Sequence, residues 1–177
     1  EVSSSAPLPD KEIIVRPGNT VTISLVITSN PGIASYQMPF YYDANALEYA
    51  GVNIGGAIIP RLIDELPVIA TAALFAEGTT VISDASELKV KETDRIKAVT
   101  DEFRKCGADI TPTDDGMIIV GNKPLHGADF ETYGDHRMAM SLAILAQRVE
   151  GDSTLCETDC VAVSYPKFFD DFYGLGK

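Results

Sequence analysis

The hydrophobic period changes near Val52, and this change limits the possible folds more than any other feature of the chain. Before it, "TVTISLVIT" sets Val21, Ile23, Leu25 and Ile27 against Thr20, Thr22, Ser24 and Thr28, with only Val26 out of step. That is the two-residue period of a half-buried strand. "ASYQMPFYYD" alternates again, with Tyr36, Met38, Phe40 and Tyr42 on one face. Pro39 on the opposite face removes a ladder donor, which predicts an edge strand or a bulge. Pro17-Gly18-Asn19, Asn30-Pro31-Gly32 and Asp43-Ala44-Asn45 supply the turns. Residues 1–9, "EVSSSAPLP", read as a linker or frayed terminus.

After Val52, helical and strand patterns alternate. "PRLIDELPVIATAALFAEG" predicts one apolar helix closed by Gly78, with Pro67 kinking it or marking its first turn. "TTVISD" predicts a strand. Ile96, Val99, Phe103 and Cys106 recur at three and four, predicting a helix that Gly107 ends. "ADITPT" and "GMIIVG" predict a hairpin around Asp114-Asp115-Gly116. Met138, Leu142, Leu145 and Val149 predict a third helix ended by Gly151, followed by a strand at "STLCET". "YPKFFDDFYGL" predicts a last helix with Pro166 as its first residue, burying Phe168, Phe169 and Phe172. The order is α-β-α-β-β-α-β-α. An all-β stretch followed so abruptly by a mixed one predicts two regions of separate origin.

A chain of 177 residues holds one large domain or two small ones. Its net charge of −12 argues against a nucleic-acid partner, because phosphate contacts need a basic surface. The longest apolar run, Val68 to Ala76, is too short for a membrane span. Cys106, Cys156 and Cys160 have no disulfide pattern, and neither histidine has metal-ligand spacing to them, so they read as thiols in a reducing compartment.

On this acidic background, cations gather twice: in "KVKETDR", Lys89 to Arg95, and in "YGDHRMAM", Tyr133 to Met140. Asp135 is placed to cap the third helix, leaving His136 and Arg137 in its first turn, where the dipole and free N–H groups favour an anion. Lys91 and Arg95 are four apart, predicting a shared helix face, with Glu92 three before Arg95. A carboxylate or phosphate between the two helix entrances would meet a forked arginine and a point-charged lysine. Equally, Glu92–Arg95 could be an exposed helix pair and His136 a helix-start residue without a ligand. Asp64, in "RLIDELP", is open to two readings: a solvated helix residue beside Arg61 and Glu65, or a base near the anion site.

"PRLIDELPVIATAALFAEGTT", "ELKVKETDRI", "TYGDHRMAMSLAI" and "VSYPKFF" resemble the C-terminal part of 5-enolpyruvylshikimate-3-phosphate synthases, from about Asn53 to Leu175. The related UDP-N-acetylglucosamine enolpyruvyl transferases share the fold but lack this pairing of motifs. The resemblance implies an α+β fold built from βαβαββ repeats, the last incomplete, over 53–177. It implies enolpyruvyl transfer from phosphoenolpyruvate to shikimate 3-phosphate in aromatic amino acid biosynthesis, in the cytoplasm, without a metal or organic cofactor. By resemblance Asp64 would contact the shikimate hydroxyls and act as a base, and Lys91 would lie near it and the shikimate phosphate. Glu92 would shuttle a proton at the phosphoenolpyruvate methylene. Arg95 and Arg137 would bind the phosphoenolpyruvate anion, with His136 beside them, and Glu87 stands where some members carry asparagine. Asp159 stands where some carry lysine. Other family residues, a lysine-serine phosphate site and a serine-serine-glutamine triplet among them, have no match in this chain. This implies an incomplete half of the active site, inactive alone and fitted to a complementary half.

"PGNTVTISLVITSNPGIASYQMPFYYDANALEYAGV" is similar to the opening strands of cohesins, extracellular jelly-roll modules that bind dockerins. This implies an N-terminal all-β segment over 10–52. It leaves two alternatives: a cohesin-derived scaffold module, or a chimera without a selected function. Unfinished strand edges at Thr20–Thr28 or Ala34–Tyr42 would also favour self-association.

Overall fold

The computed structural model describes residues 51–174. The cohesin-like segment, the linker at 1–9 and the strand edges expected to self-associate therefore lie outside the described residues, apart from Gly51 and Val52.

Four strands form the main sheet: β1 (Gly51–Ile54), β2 (Thr79–Ile82), β3 (Asp109–Pro112) and β4 (Met117–Val120), in the order β1-β2-β4-β3. β1 runs parallel to β2 in the register Gly51↔Thr79, whereas β2–β4 and β3–β4 are antiparallel. The hairpin at Asp114-Asp115-Gly116 forms as its turn residues predict. Only a glycine fits at its end, since a Cβ on Gly116 would lie 1.9 Å from the Ile82 carbonyl oxygen. β1 was not anticipated: "GVNI" has two apolar residues and a glycine border, too short a run for periodicity to register.

The apolar helix expected from Pro60 to Gly78 is two helices, α1 (Ile59–Leu62) and α2 (Leu66–Leu74). Pro67 is the cause. It has no N–H to donate one turn back, and its ring crowds that carbonyl. The chain instead makes a tight turn, with Glu65 N donating to Leu62 O (2.9 Å), and α2 then opens with Ile69 N donating to Glu65 O (2.9 Å). Asp64 thus sits in a break and not within a helix. α2 stops at Leu74, and Gly78, with φ of +79°, turns the chain into β2.

α4 (His136–Ala146) begins at its predicted cap, Asp135, whereas α3 (Arg95–Lys105) starts later than its spacing predicts, capped by Asp94, whose side chain accepts from Lys97 N. Gly107, at φ +91°, follows the end of α3 as expected. α4 ends before Gly151, which is left-handed in the bend leading to β6 (Thr154–Leu155). β6 is the core of "STLCET" and pairs in parallel with an unanticipated two-residue strand, β5 (Asp129–Phe130). The last helix, α5 (Phe168–Gly174), begins after Pro166 rather than on it, because Pro166 and Lys167 form a turn closed by Phe168 N donating to Tyr165 O (3.0 Å).

The core joins Ile82, Ile110, Met117 and Ile119 of the sheet to Ala70 and Leu74 of α2, Ile96, Val99 and Phe103 of α3, and Met138, Leu142 and Leu145 of α4. Each large aliphatic side chain buried there contributes on the order of 2 kcal/mol. α2 packs on α4, and α3 touches both. A smaller cluster sets Phe168 of α5 and Val161 against Ala139 and Ala143 of α4. Among the described residues, no helix is long and apolar enough to cross a membrane.

Candidate functional site

The site forms where the α1–α2 break and the N-termini of α3 and α4 meet. Asp135 Oδ1 accepts the N–H groups of Arg137 (2.8 Å) and Met138 (3.3 Å), capping α4. The same carboxylate receives the fork of Arg95, with Nε to Oδ2 at 2.8 Å and Nη2 to Oδ1 at 3.1 Å. Arg95 is 1% exposed and Asp135 fully buried, so each must neutralise the other's desolvation. Arg95 also donates to Glu92 (2.7 Å) and Asp64 (3.0 Å). Burial disfavours its charge, but the Asp135 bond and the surrounding carboxylates outweigh that and raise its pKa.

Asp64 is the hub of the exposed rim. Arg95 lies at 3.0 Å, Lys91 at 3.7 Å and Arg137 at 4.0 Å. Desolvation pushes its carboxyl up, yet the Arg95 bond and the charges of Lys91, Arg137 and Arg95 prevail and hold it below the ordinary aspartate value. Lys91 pairs more closely with Glu87 (3.0 Å), whose hydrogen bond is the main reason its pKa is raised. Arg137 reaches Glu65 at 3.4 Å, and its buried Nε has no hydrogen-bond partner among the described residues. An orphaned buried donor is costly, so Arg137 is the cation with most to gain from a new acceptor.

Lys91 and Arg95 do not share a helix face, as their spacing predicted. Lys91 precedes α3 in extended backbone (φ −80°, ψ −161°), after a 3₁₀ turn at Ser86–Val90 that buries Leu88. That turn is fastened by Asp115, which accepts Asp84 N through its side chain and Ala85 N through its carbonyl, each at 2.7 Å. The two cations meet through Asp64 instead. Glu92 does pair with Arg95 at the predicted spacing of three. His136 opens α4 between Asp135 and Arg137 and is buried.

The structure brings Asp64, Glu87, Lys91, Glu92, Arg95 and Arg137 into one paired network. It adds Glu65 and the ion-pairing role of Asp135. It also adds buried Glu102, which holds Tyr133 at the edge of the cluster through a 2.8 Å hydrogen bond. One signal for Glu102 was present: Arg95, Val99, Glu102 and Cys106 are spaced four, three and four, so two charged residues lie on the apolar stripe of α3. Around this site five carboxylates (Asp64, Glu65, Glu87, Glu92, Asp135) face three cations (Lys91, Arg95, Arg137). Apart from the unpartnered Arg137 Nε, an incoming anion gains donors from them by displacing a carboxylate.

Of the three thiols, Cys160 lies beside Thr132, close to Asp135. Cys106 is buried with Sγ donating to Phe103 O, and burial raises its pKa, while Cys156 is exposed and Cys160 half-buried.

The sequence profile of the EPSP synthase family (3-phosphoshikimate 1-carboxyvinyltransferase) matches residues 32–172, which include every residue of this network. This chain belongs to the EPSP synthase family. The match begins ahead of Asn53, where the motifs first carry the resemblance. Among family members, the 3-phosphoshikimate 1-carboxyvinyltransferase of Listeria innocua is 60% identical over 131 residues, covering 73% of this chain and 31% of that protein. The Streptococcus thermophilus enzyme of the same name is 57% identical over 129 residues, covering 72% and 30%. An EPSP synthase structure from Acinetobacter baumannii superposes with a TM-score of 0.65 at 40% identity, over 68% of this chain and 29% of that one. The enolpyruvyl transferase NikO from Streptomyces tendae shares the fold, with a TM-score of 0.55 at 23% identity over 72% and 28%. The α+β architecture is thus that of the enolpyruvyl transferases. The chain spans about a third of the length of the curated relatives it matches.

Proposed function

We propose that this chain carries one half of an enolpyruvyl transferase site, binding phosphoenolpyruvate and shikimate 3-phosphate in the cytoplasm against a complementary half. The observation that carries this reading is the gathering of Arg95, Lys91 and Arg137 around Asp64, in a member of the EPSP synthase family. In the overall reaction the 5-hydroxyl oxygen of shikimate 3-phosphate bonds to C2 of phosphoenolpyruvate while the methylene carbon gains a proton. Loss of a proton from that carbon and departure of phosphate then leave the enol ether.

Arg137 has an orphaned donor and only long contacts, so it takes the phosphoenolpyruvate anion first, with Arg95 contributing from the wall. Lys91 leaves Glu87 for the substrate phosphate. As these cations turn to the substrates, Asp64 loses the charges that depress its pKa and becomes a stronger base for the hydroxyl proton. Glu92, freed from Arg95, exchanges the proton at the methylene carbon. Glu87 and His136 line the same site.

Phosphoenolpyruvate titration followed by NMR tests this. The expected result is amide shifts at Lys91, Glu92, Arg137 and Met138, with affinity no better than about millimolar, or about −4 kcal/mol. Arg137→Ala should remove most of the binding and Lys167→Ala almost none. Shifts that map elsewhere, or an Arg137→Ala variant that binds as the parent does, would overturn the reading. By itself the 177-residue chain should show no steady phosphate release, because two anions must be held in register away from water.

A further inference from the structure

Tyr133, Gly134 and Asp135 form the turn that delivers the α4 cap and the partner of Arg95. Tyr133 has φ of +57° and Gly134 φ of +65°, two successive left-handed residues. Gly134 adopts this freely, but a tyrosine there is strained and persists only where its surroundings hold it. What holds it is Glu102, on the α3 stripe two turns from Arg95. Glu102 is fully buried, and its Oε1 accepts the Tyr133 hydroxyl at 2.8 Å. Its Oε2 accepts the Glu131 N–H at 2.8 Å and meets Lys105 Nζ at 2.7 Å, which balances the charge. On the other side, Thr132 donates to Glu157 O (3.2 Å) and accepts from Gly134 N (3.3 Å).

The loop before α4 is therefore tied to α3 twice: by Arg95–Asp135 inside the site, and by Glu102–Tyr133 and Glu102–Glu131 outside it. We infer that Glu102 and Tyr133 are positioning residues, a latch that holds the strained turn so that Asp135 faces Arg95 and presents the first turn of α4, with Arg137, to an anion. Glu102 itself faces Glu131, Tyr133 and Lys105, and acts on the ligand only through Asp135 and Arg137. The ligand half of this inference rests on the proposed anion site; the latch does not.

The test uses Tyr133→Phe, which removes one hydroxyl from an exposed ring, together with Glu102→Gln and the double variant. Hydrogen exchange of the Arg137 and Met138 amides, both capped by Asp135, reports the latch directly. Each single variant should speed this exchange about fivefold, the factor expected for one lost hydrogen bond. The double variant should add little to the larger single effect, because the two residues act as one unit. Phosphoenolpyruvate affinity should fall by a similar factor, with little change in the melting temperature of Tyr133→Phe. If the parent binds no phosphoenolpyruvate, the anion site fails while the exchange arm still decides the latch. Unchanged exchange at Arg137 and Met138 in both single variants overturns it, as does additivity in the double variant.

Discussion

Arg95 and Arg137 lie in the first turns of neighbouring helices, and both face Asp64, yet their surroundings make them different groups. Arg95 is 1% exposed and gripped by buried Asp135, whereas Arg137 is 29% exposed with long contacts to Glu65 and Asp64. A buried ion pair cannot lose one member cheaply, since the other is left as an uncompensated charge away from water. A rim pair exchanges partners with water, salt or a ligand at little cost. The inner pair therefore builds the site, and the rim is free to recognise substrate.

The sharpest way to break this contrast is Arg95→Ala, which strands the Asp135 carboxylate and should destabilise the domain by about 3–5 kcal/mol in urea unfolding. A loss below about 1 kcal/mol would show that the inner pair is solvated and the contrast unfounded. Asp135→Asn keeps acceptors for the cap but removes the charge, so its cost should be smaller, about 1–3 kcal/mol. Arg137→Ala comes next, with a stability change within about 1 kcal/mol while phosphoenolpyruvate binding is lost.

Two titrations sharpen the comparison further. Asp64 is held below its ordinary value of 3.8, so its ion pairs add stability above pH 3.8 that fades as pH falls through the lower folded-state value. Its carboxyl carbon should titrate below 3.8 by NMR and move back toward 3.8 in a Lys91→Ala, Arg137→Ala double variant. Tyr133 is shifted the other way, up to about 12, by desolvation and by the Glu102 hydrogen bond. Its contribution is complete below pH 10 and is lost as pH rises through about 12, with half-exposure of the ring keeping the effect small. In Glu102→Gln its ring signal should titrate nearer 10. No movement there would remove Glu102 as the cause.

Much of this was legible in the residues. Asp135 caps α4 because a short carboxylate before an apolar stripe reaches the free N–H groups one turn ahead, a relation confined to four consecutive residues. The hairpin at Asp114-Asp115-Gly116 and the end of α3 at Gly107 are local in the same sense. β1 and β5 escaped because each exists only through a parallel partner more than twenty residues away.

The candidate site divides along the same line. Local chemistry in "KVKETDR" and "YGDHRMAM" determined which residues carry charge, which helices they open, and that Glu92 reaches Arg95. Only the tertiary structure decided that Arg95 is in the wall and Arg137 on the rim, that Lys91 meets Arg95 through Asp64, and that Glu102 secures the turn. The reason is physical. Backbone hydrogen bonds and caps are settled within a turn or two of chain, whereas the cost of burying a charge depends on which distant carboxylate the fold places beside it, and sequence spacing carries no record of that distance.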